Sequence, residues 1–352
     1  MSEYVFLANG TNCRLFDTSA DTFVETDSFT SGGTIIGAVF SPDRSTLYYF
    51  DLSDSKVYSR TFDAGTLGPE VEEFTAGVTM AFVNTFSISG DGTRLVFGAD
   101  SFSANTGLEV WDIGTSTLVA GSTLSVSSTG CNSDASRVLA LGYSDFDIYL
   151  YDDSLTQLDV YAGSFSTLEV LDDQYLAAAD NQNRIRFFDY SGDTITLVDS
   201  ASRPSGNSGA NFGFGVGLVN GVWYCYANRG GIFSFDGTTA AFVDGADIGI
   251  TNGAMRSCAG LGDRAIAADN STTSDEFALW GLENGAATVF DRLDATAADP
   301  TAAAFLPAQG APTAQQVFES AFADVSGRDP LATALSQRTP ARNLVNYNIE
   351  QY

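Results

Sequence analysis

From Tyr4 onward the chain is written in short stretches where β-branched and aromatic side chains alternate with polar ones, separated by clusters of Gly, Asp, Asn, Ser and Pro. A period of two predicts half-buried strands, and clusters of this kind predict tight turns. Phe86-Ser-Ile-Ser-Gly-Asp-Gly-Thr-Arg-Leu-Val96 shows the unit: strand, turn, strand, with Asp and Gly supplying the geometry of a hairpin. The phrase stands also at Phe40-Ser-Pro-Asp-Arg-Ser-Thr-Leu-Tyr48. Weaker forms follow at Asn132–Val138, Leu171–Tyr175, Val219–Val222 and Leu261–Ala265. A helical period is found only near the end of the chain, where Val317 and Phe318 precede Phe322 in Pro312–Asp324.

A second marker closes a later strand of each unit. An aromatic residue followed by Asp ends Arg14–Asp17, Val110–Asp112, Leu150–Asp152, Phe187–Asp189 and Ser234–Asp236, with degenerate copies at Thr61–Asp63 and Leu279–Gly281. The last residues of these segments are 37 to 49 residues apart, the repeat length of a four-stranded propeller blade. In the third repeat the strands are predicted at residues 85–89, 94–98, 108–112 and 117–122. A four-stranded sheet has two apolar faces and can hide neither alone, so blades stack around an axis until a ring closes.

With these two markers in fixed order, the sequence resembles the WD40 and YVTN-like propeller superfamily, whose blades carry a phrase like F-S-P-D-G-x-x-L-Y-V and a W-D-like dipeptide. The resemblance covers about residues 1–310 and is one of architecture. The Gly-His dipeptide of WD40 repeats is absent, as the chain has no histidine. The expected fold is all-β, a seven-bladed propeller. The chain begins at Tyr4-Val-Phe-Leu-Ala8, which matches the second strand of other blades. Ala303–Gly310 has the pattern of an innermost strand, Gly37–Asp43. The C-terminal segment is therefore predicted to complete blade one and so close the ring, protecting an exposed edge.

Charge adds an unusual element: 44 acidic residues against 16 basic ones, a net charge of −28, with Lys56 the only lysine. Phosphate contacts need clustered Lys and Arg, so no nucleic-acid binding is expected. Dense carboxylates with almost no lysine resemble proteins adapted to high salt, where screening removes self-repulsion. A GC-rich genome combined with selection for solubility is the alternative, and the halophilic reading leads. No apolar run reaches the length of a membrane span, and no secretory signal is read at the N-terminus. Cys13, Cys131, Cys225 and Cys258 match no metal-ligand spacing and are read as buried free thiols, with a disulfide as the minor alternative.

The lack of histidine removes Ser-His-Asp and Cys-His catalysis and imidazole metal sites. Gly209–Gly217 lacks the Lys-Ser/Thr of a phosphate loop and reads as a strand whose backbone packs closely on a neighbour. No cofactor, metal or catalytic set is expected. A lactonase of the YVTN-like kind is the enzyme alternative that the resemblance implies. The polar turns after the second strands, at Asn9, Asp51, Asp100, Asp145, Asp180, Asn228 and Asp269, should share one face and form an acidic rim around the channel mouth. Asx-turn chemistry is favoured for them, with a rim for cations, sugar hydroxyls or a basic partner as the functional reading. The longest loops, 98–107 and 267–275, are where partner contact is sought.

Two domains follow from this: 1–311, the propeller, and 312–352, a C-terminal arm with one short helix. The arm carries 4 acidic and 3 basic residues against 40 and 13 in the ring, so it suits a different neighbour. It either packs on its own propeller or embeds in another subunit, and Phe318, Phe322, Arg328, Arg338, Arg342 and Tyr352 are its candidate contacts. The expected function is a non-enzymatic structural and recognition protein. Its expected setting is a virion, as a turret, decoration or tail appendage of a halophilic or marine virus that meets a host-surface glycan or protein. A cytoplasmic WD40-like scaffold is the alternative.

Overall fold

The computed structural model describes residues 3–77, 86–99, 107–180, 184–204, 214–227, 230–248, 258–271, 274–294 and 300–307. The arm residues all lie outside them. Among the described residues every regular element is a strand, and the strands form seven antiparallel sheets. The molecule is a seven-bladed β-propeller. Blade one is built as predicted: Pro300–Phe305 pairs antiparallel with Tyr4–Asn9, followed outward by Asn12–Asp17 and Val24–Thr30. Val5 faces Phe305, Phe6 faces Ala304 and Ala8 faces Ala302. Thr301 fastens the end of the pairing, its Oγ1 donating to Ala8 O at 3.2 Å and accepting Gly10 N at 3.0 Å.

The remaining blades follow in chain order. In blade three the strands are Phe86–Ile88, Arg94–Gly98, Leu108–Asp112 and Thr117–Ser122, within a residue of expectation at each end. Blade two differs. Its third strand, Lys56–Asp63, runs on into an extra hairpin with Thr66–Leu67 before Val71–Thr75 returns to pair with it. The register therefore puts Tyr58-Ser59, and not Phe62-Asp63, where most blades carry the aromatic–Asp pair. In blade six it is Phe233-Ser234 that holds this place, because the strand continues to Phe235.

The core is distributed. Seven clusters of buried side chains lie one at each seam between successive blades. Phe6, Leu15, Phe40 and Tyr49 fill the seam between blades one and two, and Val5, Phe16, Ile266 and Leu279 fill the closing seam between seven and one. Gly215 and Gly260 let two innermost strands, Phe214–Val219 and Cys258–Leu261, meet backbone to backbone. A Cβ on Gly215 would stand 2.3 Å from Ala259 C, and one on Gly260 2.6 Å from Val216 N. Phe214–Gly217, the described end of the glycine-rich segment, is thus part of a close-packed strand; residues 209–213 lie outside the described residues. Cys13, Cys131 and Cys225 are buried free thiols.

Each blade also carries a feature that the sequence reading missed. The register between third and fourth strands shifts once in every blade, just before the aromatic position, leaving one extra residue: Thr26, Glu73, Val119, Leu158, Val198, Val243 and Phe290. Such a bulge sharpens the strand's twist. In five blades the next residue is Asp, and its carboxylate accepts a backbone N–H from the following blade. Asp27 takes Leu67 N, Asp159 Ile195 N, Asp199 Ala240 N, Asp244 Ala287 N and Asp291 Phe23 N, at 2.7 to 2.9 Å. These clasps join neighbouring blades at the rim. In blade two the position is Phe74, whose ring stacks on Trp111 of blade three at 4.1 Å.

Candidate functional site

In an antiparallel four-stranded blade, the first and third turns fall on one end and the middle turn on the other. The ring therefore has two chemically different faces. The first collects the turns after the innermost and third strands, and aspartates recur in them. Asp17, Asp43, Asp91, Asp112, Asp134, Asp152, Asp172, Asp189 and Asp236 each accept a backbone N–H two or three residues on, at 2.8 to 3.1 Å. Hydrogen bonds from Ser41 to Asp43, Thr115 to Asp112, Ser136 to Asp134, Thr156 to Asp152 and Thr239 to Asp236 favour the ionised form. They hold these five carboxyls below the usual range. This face is acidic, and its carboxylates are fixed in position.

The second face bears the turns after the second strands, where the acidic rim was predicted. Asn9, Asp51 and Asp180 are the last residues of their strands and are buried. Asp51 accepts Ser53 N at 2.8 Å, and Asp180 is clasped by Arg184 at 2.6 Å and Arg186 at 3.1 Å. Asp145 is exposed, beyond the end of its strand, and accepts the Tyr149 hydroxyl at 2.5 Å. The equivalent strand ends in blades four and six are Gly142 and Ala227. Asp100 and Asn228 lie outside the described residues, as do the side chain of Asp269 and much of both long loops.

The bore is formed by the innermost strands of all seven blades. Its cavity, about 210 Å³, is walled by Ala38, Gly215, Ala259, Ala303 and similar small residues with Val and Phe. Among the described residues one ionisable side chain reaches it: Glu169, on Phe165–Val170 of blade five. Among the described residues no donor is bonded to its carboxyl, and burial pushes its pKa up to about 8. Its charge also bears on the buried Cys225 thiol, which is raised well above the ordinary value by burial and by Glu169. Toward the acidic face the bore opens into a wider mouth of about 360 Å³ that includes Glu169, Asn132, Ser133, Asp172 and Asp173. There Asp173 accepts Ser133 N and Oγ, both at 2.7 Å, tying blade five to blade four.

Glu169 was not singled out from the sequence, since no local motif marks it. Its isolation is a product of ring closure. Among the described residues no group of His, Cys, Asp and Glu is arranged to hold a metal ion, and none forms a helix long and apolar enough to cross a membrane.

No protein-family model matches the chain, and no curated protein does. Solved structures do. A protein from Lactobacillus plantarum matches with a TM-score of 0.63 at 15% identity, over 87% of this chain and 99% of that one. The periplasmic gluconolactonase PpgL of Pseudomonas aeruginosa gives 0.61 at 15%, over 86% and 99%. The Cps50 (Swd1) β-propeller domain of Myceliophteria thermophila gives 0.58 at 12%, over 79% and 91%. At these identities the likeness is one of fold, shared with WD40 and lactonase-type propellers alike.

Proposed function

We propose that this chain is a non-catalytic recognition propeller that works as a subunit of a larger assembly and meets a basic partner through its acidic face. The observation that carries this reading is the set of aspartate turns on that face. Their carboxylates are held by backbone donors, so they present negative charge without having to be ordered on binding, which favours fast and selective association with a complementary surface. In its finer form the proposal places the protein on the surface of a virion of a halophilic or marine virus, anchored by residues 312–352 and exposed to a host-surface glycan or protein. The net charge and the different charge balance of that segment support this. A cytoplasmic scaffold is the competing setting.

The test is to compare full-length protein with a version ending at residue 311, by light scattering and by co-sedimentation with native particles. The assembly reading expects the full chain to co-sediment and the shortened ring to stay soluble and monomeric. Equal behaviour of the two would overturn the anchoring role. For high-salt adaptation, the melting temperature should climb from dilute buffer to molar KCl, and a flat curve would remove that part of the proposal.

A lactonase reading is favoured by one observation, the Glu169 carboxyl with a pKa near that of a general acid or base. Hydrolysis of simple lactones by the purified protein, lost in Glu169→Gln, would establish it; no hydrolysis by the wild type would exclude it for those substrates.

A further inference from the structure

We propose that the bore is a binding site for a small organic ammonium ion, whose charge is met by Glu169 and whose carbon substituents rest against the small apolar residues of the wall. The inference is independent of the recognition reading and rests on the geometry of the bore. Among the described residues, Glu169 is the single charged side chain lining a cavity of about 210 Å³, and the other lining residues include Ala38, Gly215, Ala259 and Ala303. Many carboxylates elsewhere on the ring are satisfied by turn N–H groups or arginines. This one has neither among the described residues. A second wall group is unspent: Thr129 is only 5% exposed and lines the same cavity, and its hydroxyl finds no partner there.

Glu169 is half-buried, and a charge there costs more than one at the open surface when no counter-ion meets it. The chemistry of the lining decides which counter-ion fits. Calcium or magnesium would demand six or more oxygen ligands, many of them carboxylates, whereas one carboxylate with the Ser87 and Thr129 hydroxyls, among alanines and glycines, suits a cation with its own apolar surface. Entry is prepared on the acidic side. Asp172 and Asp173 stand at the wider mouth, where their charges draw cations inward. Among the described residues the titratable groups that share the cavity and its mouth with Glu169 are Asp172, Asp173 and the Cys131 thiol, and Cys225 is near enough for Glu169 to raise it; burial keeps both thiols neutral.

Because the empty carboxyl is protonated below about pH 8, the ammonium displaces a proton, and its binding is linked to pH. The probe is tetramethylammonium chloride, whose charge does not titrate, with tert-butyl alcohol as the neutral analogue. Calorimetric titration of the full chain at constant ionic strength should show affinity rising about tenfold per pH unit up to pH 8 and levelling beyond it, with about one proton released per ion bound at pH 7. The alcohol should bind at least tenfold more weakly, and Glu169→Gln should lose at least tenfold in affinity at pH 9 together with the pH dependence. No binding by the wild type at pH 9, equal binding by the variant, or an affinity indifferent to pH overturns the proposal. A second readout needs no variant: the ¹³C shift of the Glu169 carboxyl should titrate near pH 8 and move to lower pH with the probe, and an unchanged titration overturns it equally.

Discussion

The rim clasps predict that single aspartates outside the bore hold the ring together. Asp199 is the clearest case, since both of its oxygens are used: Oδ1 accepts Ser200 N at 2.8 Å and Oδ2 accepts Ala240 N of the next blade at 2.7 Å. In Asp199→Ala, both backbone donors lose a charged acceptor in a half-buried seam. Hydrogen bonds to charged groups contribute about 1.5–3 kcal/mol. Water reaches part of this site, so a net loss of about 1–2 kcal/mol is expected, a fall of about 1.5–3 °C in melting temperature for a chain of this size. Asp199→Asn keeps an acceptor oxygen and should lose about half as much. Asp153 is exposed and has no bonded partner among the described residues, so Asp153→Ala is the matched control. It removes the same charge and should be neutral or slightly stabilising. The assay is thermal unfolding by circular dichroism in molar KCl, where differences in self-repulsion are screened. An Asp199→Ala variant no less stable than Asp153→Ala would refute the idea that these carboxylates join the blades.

Three further outcomes follow. Ala304→Pro should cost ~3 kcal/mol or more, read as a lowered denaturant midpoint, because proline removes a ladder hydrogen bond from the strand that closes blade one. The turn carboxyls of Asp43, Asp112, Asp134, Asp152 and Asp236 lie below their unfolded values, so the stability they confer is present above about pH 4 and is lost as pH falls through the folded values; urea midpoints at pH 7 and pH 3 should show it. Glu169 has the opposite sign: the fold binds its proton more tightly than the unfolded chain does, so wild-type stability relative to Glu169→Gln should fall as pH rises from 4.5 to about 8, by at most about 5 kcal/mol and less where channel water screens the charge.

The blades were legible because their determinants are local. A period-two strand and an Asp-bearing turn are read from neighbouring residues, and Tyr4–Ala8 with Ala303 onward carried enough pattern to place the closing strand. The markers misled at blades two and six, where the strand outlasts the aromatic position; in blade two a turn at Ala64 and Gly65, both at positive φ, inserts an extra hairpin. The clasps did have a signal, an apolar or Thr residue followed by Asp in the fourth strand, as in Val198-Asp199 and Phe290-Asp291. It recurs in five of the seven blades, but its role needs the bulge and the next blade. Glu169 had none. It is one carboxylate among 44 acidic side chains, and it becomes distinctive only when seven innermost strands converge around it. The predicted rim scattered for a related reason: strand ends that were aligned by sequence spacing carry Gly142 and Ala227 where the structure aligns them by register.

The central claim is that the protein works through its face of aspartate turns, and amide hydrogen exchange of the native assembly against the isolated full chain tests it most directly. Slower exchange in the assembly at the turns around residues 41–46, 89–94, 132–136, 152–156, 171–175, 189–195 and 236–239, with the turns of the opposite face unchanged, is the predicted result. Protection confined to the opposite face, or none on the ring at all, would contradict it.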